Sequence, residues 1–167
     1  MVDYSTLSIV FTGVSISLAA FYYISTLRNT EKSRKRELIL QRHQSYNLDY
    51  TRTFWELASW TDWKTVEEFK EKYGMPSNPE AKAKFTYIMR ILSTAGTLLK
   101  ENMANADLIF ELYPATGVIG LWEQFEMVIM DIREKRNSPS HLSGFEFLYR
   151  EAKKRHPDIL PLSHEWK

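Results

Sequence analysis

From Leu7 to Leu27 the chain reads LSIVFTGVSISLAAFYYISTL, without one charged residue, and the uncharged run already begins at Tyr4. As a helix rising about 1.5 Å per residue it is roughly 31 Å long, which matches a bilayer core of about 30 Å. The pattern predicts a single membrane-spanning helix. A cleaved signal peptide would carry a basic amino-terminal part and a shorter apolar core, whereas Asp3 is the only charge ahead of this run. A buried helix of a soluble domain is the remaining alternative, and an uncharged one of this length is rare in so small a chain.

Beyond Leu27 the pattern turns polar and stays helical. Residues 28–46 hold no Gly or Pro and are rich in helix formers, so the membrane helix is expected to continue as a stalk. From Asn47 to Trp60, Leu48, Thr51, Trp55 and Ala58 fall on one helical face, with Phe54 and Leu57 near it. Asp62 is placed to cap a short helix from Trp63 to Tyr73, with Val66 and Phe69 inward, a Glu68–Lys72 pair one turn apart and Gly74 closing it. Asn78-Pro79-Glu80 then combines an N-cap residue, a proline at the first helical position and an acid in the first turn. Phe85, Ile88, Leu92, Ala95 and Leu99 follow at alternating spacings of three and four, an amphipathic stripe with Gly96 beside it to permit a close helix crossing.

Asn105 caps a short helix holding Leu108, Ile109 and Leu112. Thr116 or Gly117 starts a long one with Val118, Leu121, Trp122, Phe125, Val128, Ile129 and Ile132 on a wide apolar face. Arg133, Lys135 and Arg136 suit its C-terminus. After the turn Asn137-Ser138-Pro139-Ser140, a last helix near Ser143 to Arg155 buries Phe145, Leu148, Tyr149 and Ala152, and Pro157 ends it. No strand-like alternation occurs. The expected fold is all-α: a transmembrane anchor over 1–27, a basic juxtamembrane stalk over 28–46, a bundle of about five or six helices over 47–156, and a tail over 157–167.

Charge adds an orientation. Nothing basic precedes the apolar run, while Arg28, Lys32, Arg34, Lys35 and Arg36 follow it. The excess of basic residues on one flank predicts an N-terminus outside and a cytoplasmic C-terminal domain at the cell membrane. The same five residues are the candidate contacts for anionic lipid. From His43 onward 16 basic residues meet 18 acidic ones, so the body offers no general nucleic-acid surface. The chain has no cysteine, which excludes disulfides and thiolate metal sites.

Within the apolar run Ser8, Thr12, Ser15 and Ala19 share a face, and Gly13 and Ser17 form a small-xxx-small pair beside it. Such residues let backbones approach, and their hydroxyls can bond across a helix pair. Equally, the hydroxyls can bond their own i−4 carbonyls and carry no further meaning. Candidate chemistry is sparse. The four histidines are scattered without metal-ligand spacing, and Glu123, Glu126 and Asp131 lack the Glu-x-x-His partners of a di-iron bundle. No nucleophile elbow, phosphate loop or dinucleotide fingerprint occurs, so no catalytic residue, metal or cofactor is assigned. Trp55 and Trp60, with Trp63 nearby, either line a ligand pocket or belong to the core.

The region from Trp55 to Tyr149 resembles a family of unknown function in bacteria and archaea, made of short proteins with one N-terminal membrane helix and a helical cytoplasmic domain. The matching pieces are MVDYSTLSIV at the start, EEFKEKYG at Glu67–Gly74, NPEAKAK at Asn78–Lys84, LWEQFE at Leu121–Glu126, and IREKRNSP followed by GFEFLYREAKK. The chain departs from that pattern at Thr94–Met103, where a more loop-like, basic segment is expected. The resemblance implies anchoring and a compact helical domain, and no activity. Two readings of function stand beside an enzyme with an unrecognised site. One is a single-pass membrane-anchored interaction or scaffold protein that assembles with itself or another membrane subunit, with the lipid bilayer as its other partner. The other is a membrane-tethered sensor or effector whose helical domain binds a small ligand.

Overall fold

The computed structural model describes residues 3–44, 48–74 and 76–159, with the side chains of part of the first helix excepted. Among the described residues it has seven helices and no strand: α1 (Tyr4–Gln44), α2 (Leu48–Ala58), α3 (Val66–Tyr73), α4 (Pro79–Lys100), α5 (Ala106–Leu112), α6 (Ala115–Lys135) and α7 (Ser143–Arg155). The chain divides into two compact units, Met1–Arg42 and His43–Lys167.

The first unit corrects the membrane-spanning reading. Among the described residues no helix is long and apolar enough to cross a membrane. α1 is 41 residues long, and charged residues follow from Arg28. The expected span begins at Leu7, and the side chains of residues 4–10 lie outside the described ones. The apolar and the charged stretches form one unbroken helix.

The second unit is built from local signals that hold and from a packing that selects among faces. Asn78 caps α4, its side chain accepting from the Ala81 N–H at 3.0 Å, and Pro79 takes the first turn. Asn105 caps α5 in the same way through the Leu108 N–H at 2.9 Å. α3 starts later than its sequence suggests. Its cap is Thr65, which accepts from the Glu68 N–H, and the Glu68 side chain accepts from the Lys64 N–H, one residue ahead of the cap, at 2.7 Å.

Asp62 has another partner set. It accepts from the Tyr73 hydroxyl at 2.6 Å and from Lys72 at 3.0 Å, so Lys72 does not pair with Glu68. The bond from Tyr73, then that from Lys72, holds the Asp62 carboxyl below its ordinary range. Burial first, and then Asp62, pushes the Tyr73 hydroxyl up to about 12. α2 also turns a different face inward. Tyr50 and Leu57 are buried, whereas Leu48 and Trp55 are exposed.

α4 packs most extensively on α7, and α7 in turn on α6. The α4 stripe is buried as its spacing predicts through Phe85, Ile88, Leu92 and Ala95. The crossing depends on two glycines. A Cβ at Gly96 would lie 1.8 Å from the Gly144 carbonyl oxygen, and one at Gly144 would lie 2.0 Å from that of Ser93. Each helix therefore presents bare backbone to the other. Below the crossing Phe125 of α6 meets Trp63, Phe69 and Phe85 with ring centroids 5.3–5.9 Å apart. α4 continues as helix through Thr94 to Lys100, where the resemblance had led one to expect a loop-like segment.

Candidate functional site

α1 presents apolar side chains without cover. Phe11, Val14, Ile16, Leu18, Phe21, Tyr22, Tyr23, Ile24 and Leu27 are between 48% and 74% exposed. Its hydroxyls point back into the helix. Ser15 donates to the Phe11 carbonyl at 2.8 Å, Ser17 to Gly13 at 2.9 Å and Thr26 to Tyr22 at 2.8 Å. At Ser15 and Ser17 the i−4 reading is therefore the one the structure shows. Their protons are used, and what these residues offer a neighbour is small size. A Cβ at Gly13 would meet nothing within 4 Å, and Ala19, on another face of the helix, is exposed. Arg28 is exposed as well. The side chains of Ser8, Lys32, Arg34, Lys35 and Arg36 lie outside the described residues.

The helical body carries a cleft of about 150 Å³ between α2, α4 and the junction of α5 with α6. Tyr50, Phe54 and Trp55 come from α2, Leu92 from α4, and Tyr113, Pro114, Gly117 and Val118 from the junction, with Thr51 and Thr116 supplying hydroxyls. Two features of the junction make room. Pro114 begins α6 without a side-chain cap, so no polar side chain folds over that turn. Gly117 is bare where a Cβ would come 2.7 Å from Cζ of Phe54, so the Phe54 ring lies directly on the α6 backbone. The aromatic walls brace one another: Tyr50 meets Tyr113 edge-on at 6.1 Å, and Phe54 meets Trp55 edge-on at 5.6 Å.

Of the three tryptophans singled out in the sequence, only Trp55 lines this cleft, and it is 47% exposed. Trp60 and Trp63 are buried. Trp60 stacks on Tyr73 with centroids 4.1 Å apart, and the Trp63 indole N–H donates to the Trp60 carbonyl at 2.8 Å. Sequence reasoning missed the residues that join Trp55. The run Tyr113-Pro114-Ala115-Thr116-Gly117 was the available signal, since small residues at a helix start leave space beside it.

Two of the carboxylates on α6, Glu123 and Asp131, are engaged with cations. Glu123 pairs with Lys153 at 2.7 Å, and Asp131 with Lys70 and Lys135, both at 2.6 Å. Against the push of partial burial, Lys135 and Lys70 hold the Asp131 carboxyl below its ordinary value. Among the described residues no three acids or histidines are grouped to hold a metal ion.

No curated protein and no solved structure matches the chain. A family model for a domain of unknown function, DUF4760, matches residues 9–152. That span takes in the greater part of α1 and the body as far as Ala152 of α7, and so the chain belongs to the DUF4760 family.

Proposed function

We propose that the protein is a helical assembly protein in which α1 associates with α1 of further copies. The observation that carries this reading is the exposure of an uncharged apolar surface from Phe11 to Leu27. Apolar area left in water costs free energy in proportion to its extent, and a helix apolar all round is ordinarily a covered one. Gly13 with Ser17 on one face, and Ala19 on another, support helical neighbours as the cover, because small residues let two backbones approach. The internally bonded hydroxyls add no polar group that such an approach would strand.

The full chain extracted in mild detergent is expected to elute as a discrete homo-oligomer by mass. Replacing Gly13, Ser17 and Ala19 together with Leu is expected to disperse it. A monomer overturns the reading, including a monomer that transfers to lipid vesicles, and so does a stoichiometric complex with a foreign subunit alone.

The cleft favours a second reading, in which the body binds a small apolar ligand. A volume of about 150 Å³ is that of an apolar cavity able to take a benzene-sized ring. A single-ring compound such as toluene is expected to raise the melting temperature of the full chain. Trp55→Ala is expected to abolish that rise while changing the unliganded melt little, since Trp55 is half exposed. A set of single-ring compounds that leaves the melt unmoved removes this reading.

A further inference from the structure

The aromatic side chains that line the cleft between α2, α4 and the junction of α5 with α6 form one connected set. Trp55 meets Phe54 with ring centroids 5.6 Å apart, Phe54 meets Tyr50 at 6.0 Å, and Tyr50 meets Tyr113 at 6.1 Å. The rings do not share a plane. Phe54 and Trp55 stand at 88° to each other, and Tyr50 and Tyr113 at 72°. The set therefore walls the same space from more than one direction.

Three of the rings are fixed in place. Tyr50 and Tyr113 are buried, and the Phe54 ring rests on the α6 backbone, where a Cβ at Gly117 would come 2.7 Å from its Cζ. Trp55 is the exposed member. Among the described residues that line the cleft none is charged. Glu56, the acid next to Trp55 in the chain, pairs with Lys84 at 2.8 Å. The remaining polar groups of the lining side chains are the hydroxyls of Thr51 and Thr116, one on α2 and one in the first turn of α6.

We propose that the cleft binds a trimethylammonium group, caged by Tyr50, Phe54, Trp55 and Tyr113. The proposal rests on the reading of the cleft as a ligand site and names the class of its ligand. The face of an aromatic ring is negative and attracts a cation, and quaternary ammonium groups are recognised by sets of such rings. A bare ammonium is strongly hydrated, and with no carboxylate on these walls nothing offsets its loss of water. A trimethylammonium group carries the same charge beneath a surface of methyl groups, so it enters an apolar space at far smaller cost. The volume of about 150 Å³ admits a benzene-sized group, which a trimethylammonium head resembles in bulk. An anion finds no basic side chain on the walls. A hydroxyl on the ligand, such as that of choline, suits the two threonine hydroxyls.

The test compares choline with dimethylbutanol, its neutral isostere in which carbon replaces the nitrogen, on the full chain in non-ionic detergent. Affinities are read from the rise in melting temperature with ligand concentration, choline chloride being measured against sodium chloride at equal ionic strength. Choline is expected to bind about tenfold more tightly than the isostere. Trp55→Leu, which keeps an apolar side chain and removes the ring, is expected to bring the two affinities together. Equal affinities in the parent chain overturn the proposal, as does a choline preference that persists in Trp55→Leu. If toluene raises the melt and choline does not, this inference falls while the ligand reading of the cleft stands. If neither does, both fall. The source of the group is read by adding vesicles. A choline response that survives in phosphatidylcholine vesicles supports a soluble ammonium compound. One lost there and kept in phosphatidylglycerol vesicles supports a lipid headgroup.

Discussion

Phe125→Ala is expected to cost the body about 4 kcal/mol, the middle of the range for emptying a buried aromatic position. The ring is fully buried and has three aromatic neighbours from three different segments: Trp63 from the turn ahead of α3, Phe69 from α3 and Phe85 from α4. Two of these contacts are edge-on, at 5.7 and 5.3 Å, and the Trp63 contact is stacked at 5.9 Å. Removing the ring forfeits the transfer energy of its own surface and leaves a void that four separate backbones would have to close. Aromatic pairs of this geometry add about 0.5–1.5 kcal/mol each beyond area burial. Denaturant unfolding of the full chain, followed by tryptophan fluorescence, measures the loss. Phe125→Leu, which keeps most of the volume, is expected to lose only about 1 kcal/mol. If alanine proves as mild as leucine, Phe125 is not the centre of this core.

Gly96→Ala is expected to lower stability by about 3 kcal/mol, roughly 10 °C in melting temperature for a body of this size. The sign opposes intrinsic preference, since alanine in the middle of a helix is favoured over glycine by about 1 kcal/mol. The reason is distance. The new methyl group would sit 1.8 Å from the carbonyl oxygen of Gly144, a backbone atom that cannot rotate away, so α7 itself must move. Gly13→Ala in α1 is the matched control. Its added methyl meets nothing within 4 Å, and it is expected to leave the melt of the body unchanged. A Gly96→Ala protein that melts with the parent would mean that α4 and α7 cross farther apart than described here.

The features legible in the sequence are those set by neighbours a few residues away. Asn78-Pro79 and Asn105 were readable because a cap satisfies amide groups of its own helix. The long stripes of α4 and α6 were readable because many turns repeat one phase. α2 has about three turns, and in so short a helix two faces are comparably apolar. Leu48 and Trp55 marked one face, and the rings available to Tyr50 on Phe54 and Tyr113 chose the other. Asp62 was misread because Lys72 and Tyr73, ten and eleven residues on, compete for it with any helix start. In α1 the lack of charge over residues 4–27 suggested a membrane span, which no helix among the described residues meets. The cleft was legible only in Trp55 and in the small residues that start α6. It is assembled from segments tens of residues apart, and no local pattern marks a residue whose partner lies on another helix.

The bare-backbone crossing at Gly96 and Gly144 also sets an order of events during synthesis. α4 is complete once Lys100 has been made, but the surface it buries most extensively belongs to α7, which begins 43 residues later at Ser143. A growing chain therefore holds Leu92, Ala95 and the exposed backbone at Gly96 without their main cover until nearly all of the body has been translated. A ribosome that stalls or stops in the loop around His141 releases a chain with that apolar stripe uncovered, and apolar surface left open in this way is what drives incomplete chains to aggregate.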